Sequence, residues 1–94
     1  MEFINDNITF IIVTFKSNKV IFDCLDSLPK QVPKIIVENS SDIELKKKIE
    51  QNYDNTKVVL SSNIGMGPGN NLGIKKCNTK YAYILNPDTK FHHD

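Results

Sequence analysis

The chain has 94 residues, 39% of them hydrophobic and 24% charged; that suffices for one small domain, with a core limited to about 60% of the unfolded surface. Its twelve cations are all lysines, set against eleven acids for a formal charge of +1 and dispersed apart from Lys46-Lys47-Lys48. This balance offers no footprint for nucleic acid or an anionic membrane, and without arginine any phosphate contact needs help from backbone amides or a metal.

The N-terminus lacks the basic-then-apolar pattern of a leader, and apolar stretches such as Phe10 to Val13 fall far short of the roughly 20 residues that span a bilayer. Ile8 to Val13, "ITFIIV", is β-branched and apolar on both faces, as in a parallel strand covered by helices on both sides. Ser17 or Asn18 can cap a helix with Ile21, Cys24, Leu25 and Leu28 on one face, stopped by Pro29. Lys34 to Glu38 reads as a second buried strand. Ser41 and Glu44 form a capping box for a helix that turns Leu45 and Ile49 inward.

"KVVLSS" then predicts a third strand, Pro68 to Cys77 a Gly-weakened third helix, and "YAYIL", Tyr81 to Leu85, a fourth strand. Cys24 and Cys77 each fall at an apolar helical position, outside any metal-spaced Cys/His group, and read as reduced core residues of a cytosolic protein. The Asn-x-Ser/Thr matches at Asn7 and Asn39 therefore read as chance. Beyond Asp88 come six residues, "TKFHHD", with no further element; this leaves one face of the last strand uncovered, as in the N-terminal part of a longer protein or a shortened form of one.

Alternating strands and helices predict an α/β, Rossmann-like three-layer sandwich with right-handed crossovers, and such sheets bind ligands outside the carboxyl ends of their strands. Four sets of residues follow the strands: Thr14-Phe15, Glu38-Asn39-Ser40, Asn63 to Gly67, and Asn86-Pro87-Asp88. The stretch "NIGMGPGNNLG" is no dinucleotide fingerprint, because Asn70 stands where a glycine is needed and the loop follows the third strand rather than the first. It can still bring a helix N-terminus near a ligand, or it can be a flexible connection. Glu38-Asn39 can hydrogen-bond a ribose or base, or serve as a solvated turn; Phe15 can stack on a base or form the rim of the core. Asp88, stiffened by Pro87, suits a hard cation such as Mg²⁺ or Mn²⁺, although "NPDT" is also an ordinary turn sequence.

Together, "ITFIIVTFKS", "CLDSL", "IIVENSSD", "NIGMGPGNNLGI" and "YAYILNPDT" resemble the N-terminal part of a family 2 glycosyltransferase of the GT-A fold, nearest its bacterial rhamnosyltransferase-like branch. The resemblance implies a mostly parallel sheet of order 3-2-1-4. It implies that Thr14 and Phe15 line a nucleoside pocket and that Glu38, where the family usually has Asp, contacts the base, with Asn39 shaping the turn. Asn63, Gly65, Gly67 and Asn71 would lie beside the nucleotide. Asn86-Pro87-Asp88 matches the family's D-x-D position, with Asp88 on Mg²⁺ or Mn²⁺ and Asn86 helping to hold ribose or metal. Asn86 is a departure from the acid usual there, and Asn70 replaces an arginine found in many relatives.

On this reading residues 1–94 are the donor-binding part of an inverting transferase. Its base and acceptor site would lie beyond residue 94, with Asp94, His92 and His93 as surface residues. The donor would be a dTDP or UDP sugar, the acceptor a saccharide or lipid-linked molecule in cell-surface polysaccharide synthesis, and the location cytoplasmic, peripheral at the inner face of the membrane. Homo-oligomerisation stays open. The alternative is a non-catalytic α/β module that binds a nucleotide or a partner.

Overall fold

The computed structural model describes residues 7–16 and 18–88. Its elements run β1 (Ile8–Thr14), α1 (Asn18–Ser27), β2 (Lys34–Glu38), α2 (Ile43–Asn52), β3 (Thr56–Leu60), α3 (Met66–Lys76) and β4 (Tyr81–Leu85). The four strands form one sheet in the order β3-β2-β1-β4, every pairing parallel. This is the expected α/β Rossmann-like arrangement and the expected strand order.

The two-residue period of each strand sorts its side chains between two layers. Phe10, Ile12, Ile36, Val58 and Leu85 pack with Ile21, Cys24, Leu25, Leu45 and Ile49 of α1 and α2 on one face. Ile11, Val13, Ile35 and Val37 face the other side, where Leu72 of α3 packs against them. The central strands β1 and β2 are buried along almost their whole length, which explains why they read as unbroken apolar runs.

α3 approaches the sheet closely because glycines form its inner face. A methyl group on Gly73 would lie 2.4 Å from Cγ2 of Ile11, and one on Gly69 would lie 2.9 Å from Cγ1 of Val13. The glycines that weaken the helix intrinsically are thus the ones its packing requires. β4 is the opposite case. Tyr81, Ala82, Tyr83 and Ile84 are exposed and only Leu85 is buried, so the strand lacks cover on both faces, more than the single uncovered face expected. Its inner contact is the Tyr83 ring set edge-on against Phe10, 5.9 Å between centroids.

Several boundaries differ from the sequence reading. α2 is capped by Asp42, whose carboxylate accepts from the Leu45 N–H at 3.0 Å, not by Ser41. Ser41 has φ 57° and donates instead to the Ser61 carbonyl at 2.9 Å. α3 begins at Met66, ahead of Pro68, because a proline in the first helical turn forfeits no intrahelical bond. Cys77 is the C-cap of α3 and half-buried rather than a core position, while Cys24 is buried; both are free thiols. The expected cap Ser17 and the terminal Asp94, His92 and His93 lie outside the described residues.

The close approach of α3 yields a stability prediction. Gly73→Ala should destabilise the fold by about 1–3 kcal/mol through overpacking. Gly67→Ala, where an added methyl meets nothing within 4 Å, should be neutral or stabilise by roughly 0.5–1 kcal/mol. Urea unfolding of the two variants beside the parent chain measures the difference.

Candidate functional site

Parallel pairing brings the strand ends together. Thr14 lies opposite Glu38, Glu38 opposite Leu60, and Leu85 opposite Ile12, so the segments after all four strands leave the sheet at one rim. Three of the four connections there contain a left-handed residue: Lys16 at φ 54°, Ser41 at φ 57° and Gly65 at φ 89°. For the two non-glycine residues this conformation costs of order 1 kcal/mol, held in place by the surrounding bonds.

The bonds come from a knot at the end of β2. Alternation points Glu38 toward the α1–α2 layer and Asn39 toward α3. The Glu38 carboxylate is fully buried and accepts four hydrogen bonds: Oε1 from the hydroxyls of Ser40 at 2.7 Å and Thr14 at 3.4 Å, Oε2 from the N–H groups of Asp42 at 2.7 Å and Ser40 at 3.1 Å. Asn39, also buried, donates from its backbone N–H to the Thr14 carbonyl at 2.7 Å and from Nδ2 to the Gly65 carbonyl at 3.2 Å. Its side-chain oxygen accepts from the Ser61 hydroxyl, and its carbonyl from the Asn63 N–H. Two adjacent residues thereby tie β1, β3, the cap of α2 and the entry to α3 into one unit.

The ten candidate residues divide accordingly. Thr14, Glu38 and Asn39 are buried and engaged with the chain's own loops, so they support the rim from inside and present no open polar edge. Phe15, Asn63, Gly65, Gly67, Asn71, Asn86 and Asp88 are exposed on the outer side. The Phe15 ring carries the Lys16 ammonium 5.3 Å from its centroid. Sequence reasoning had no means of separating these two groups, because strand-end position alone does not say which side chain curls back into the knot.

One further polar group belongs here. Oδ1 of Asn70, on α3 between Gly69 and Asn71, is buried with no hydrogen-bond partner among the described residues. A buried orphan acceptor costs about 1–3 kcal/mol, and such groups are commonly met by water or a ligand donor. Its signal in the sequence was the departure from arginine at that position.

Of two clefts of about 580 and 740 Å³, the first is lined by Phe22, Leu25, Lys34 and Tyr53 and the second runs along α1 and α2, and none of the ten candidates lines either. Among the described residues, no group of three or more His, Cys, Asp or Glu could hold a metal by itself. A divalent cation at Asp88 would have one carboxylate, with the Asn86 amide oxygen as neighbour. That sparse oxygen set fits Mg²⁺ or Mn²⁺, which keep waters and take phosphate oxygens to complete their shell.

A sequence model of the family described as "Glycosyl transferase family 2" matches residues 9–94. The chain belongs to glycosyl transferase family 2. Among solved structures, this family 2 chain is similar to S. aureus TarS 1-349, with a TM-score of 0.72 and 23% identity over 87% of its residues, and to S. aureus TarS, with a TM-score of 0.69 and 20% identity over 87%. At those identities the likeness concerns the fold, in which the Rossmann-like sheet is part of a GT-A arrangement. The family 2 chain spans 27% and 16% of the length of these two structures. No curated protein matches it. Among the described residues no helix is long and apolar enough to cross a membrane.

Two predictions follow from the knot and its surroundings. Glu38→Gln removes the charge that four donors converge on and should cost about 2–4 kcal/mol in urea unfolding; Glu44→Gln on the exposed face of α2 should change stability by less than about 0.5 kcal/mol. The second concerns pH. Burial, reinforced by the Asp88 charge, pushes the Cys24 thiol from 9.0 up to about 11. The unfolded chain therefore releases this proton first, so the thiol's contribution is fully present below pH 9 and is lost as pH rises toward 11. Between about pH 8 and about pH 10.5 the parent chain should lose up to roughly 2 kcal/mol more than Cys24→Val in the same melts.

Proposed function

We propose that this chain is the donor-binding part of a metal-dependent, inverting glycosyltransferase that takes a sugar from a nucleoside diphosphate carrier. Carriers of the UDP or dTDP type suit it, with a saccharide or lipid-linked molecule as acceptor. The rhamnosyltransferase-like branch of the family, a role in cell-surface polysaccharide synthesis, and a cytoplasmic site of action at the inner membrane face belong to the same reading. Support comes above all from one observation: the parallel register gathers the four strand-end segments on one rim, and Phe15, Asn63 and Asp88 of those segments are all exposed.

On this reading the exposed residues meet the ligand. Phe15 offers a ring face or edge to the base. Asn63 and Asn71 supply amide donors and acceptors along the nucleotide, while Gly65 and Gly67 allow close backbone approach at the start of α3, where N–H groups suit phosphate. The orphaned acceptor of Asn70 suits a sugar or ribose hydroxyl. Glu38, Thr14 and Asn39 act through the loops they hold, so the base is read by the rim's outer residues rather than by the Glu38 carboxylate. Asp88 and Asn86 would hold Mg²⁺ or Mn²⁺; when bound, the cation offsets charge on the departing diphosphate. The transfer is one in-line displacement: the acceptor hydroxyl oxygen bonds to the anomeric carbon as the bond to the diphosphate oxygen breaks, and a carboxylate from beyond residue 94 takes the hydroxyl proton.

Calorimetric titration of the chain with UDP and with dTDP, with and without Mn²⁺, tests this. Mn²⁺ should tighten binding, Asp88→Ala should weaken the metal-dependent part by about tenfold or more, and Asn86→Asp should strengthen it. Binding of equal strength without metal, and unchanged by Asp88→Ala, would overturn the assignment in favour of a nucleotide-binding module without transfer.

A further inference from the structure

The Asn86-Pro87-Asp88 turn has little beneath it. Four of the five residues of β4 are exposed, so the strand is held by its ladder to β1 and by one buried side chain, Leu85. Leu85 packs in the same cluster as Cys24 of α1. Cys24 is fully buried, and its Sγ donates to the Asn86 carbonyl at 4.0 Å, a long contact of the kind sulfur makes.

We infer that Cys24 is a positioning residue for the Asn86–Asp88 turn, its thiol holding the Asn86 carbonyl from below and so setting the height of the Asp88 carboxylate at the rim. The catalytic meaning of this role rests on the proposed function; the mechanical one does not. α1 becomes the floor of the cation-bearing turn. A change at Cys24 that removes the donor and keeps the space filled, as valine does with a slightly larger side chain, should loosen the turn. A hydroxyl in its place keeps a donor on a shorter arm, so it restores the contact only in so far as the turn settles toward it.

The experiment compares the parent chain with Cys24→Val and Cys24→Ser, using two readouts. In the ligand-free chain, Cys24→Val should move the backbone amide signals of Asn86 and Asp88 and speed hydrogen exchange at Asp88, and Cys24→Ser should restore part of both. In titrations with UDP, Cys24→Val should weaken the Mn²⁺-dependent affinity by roughly three- to tenfold, the worth of one hydrogen bond, and leave metal-free binding as it was. A merely structural role would lower both affinities together. If Cys24→Val does not fold, Cys24→Ala removes the donor and leaves a small cavity, and Cys24→Ser, of nearly the same volume as alanine, is its control. Unmoved amide signals, or Mn²⁺-dependent affinity equal to that of the parent, overturn the inference. If the parent chain shows no metal-enhanced binding, the proposed function fails, and the amide signals alone decide the positioning role.

Discussion

Everything at the rim depends on one buried carboxylate. Glu38 ends the central strand β2 at a point where its side chain has no access to water, and an ionised group there is tolerable only if its oxygens are fully paired. Four hydrogen bonds meet that demand, and together they fix three pieces of chain: the end of β1 through Thr14, the turn through the N–H and hydroxyl of Ser40, the cap of α2 through Asp42. Asn39 does the same on the other face of the sheet for β3 and the entry to α3. The exposed residues of the rim are thereby mounted on a frame whose polar groups are spent internally.

The glycines of α3 and the exposure of β4 belong to the same economy of space. Gly69 and Gly73 let the helix settle onto Val13 and Ile11, which brings its first turn level with the knot; indeed a methyl on Gly69 would also sit 3.3 Å from Nδ2 of Asn39. β4, by contrast, pairs with β1 on one edge, is buried only at Leu85, and carries the turn with Asp88 at its end. One side of the rim is therefore clamped by packing, and the other by a ladder, Leu85 and the thiol of Cys24. The rim thus has a stiff side at β2 and α3 and a side at β4 with fewer restraints.

The elements themselves were plain in the chain. β1 and β2 announced themselves as short β-branched runs because both their faces are covered, and the alternation of strand and helix left one handedness of crossover. Boundaries shifted where a local signal met a tertiary demand. Ser41 carried a good capping pattern with Glu44, but the Glu38 carboxylate captures the Asp42 N–H and Ser41 bends left-handed toward Ser61, so the cap moves one residue on. Cys77 fell at an apolar spacing, yet α3 ends just before it.

What the sequence determined by itself was the order and type of the elements, because periodicity and chain-local sterics are enough for that, and with them the set of segments that end up at one edge. Which of those residues turn outward was decided by the tertiary structure alone. Glu38 and Phe15 look equally eligible in the chain, but the carboxylate curls inward onto Ser40 and Asp42 of its own turn and onto Thr14, a partner that only the pairing of β1 with β2 brings within reach.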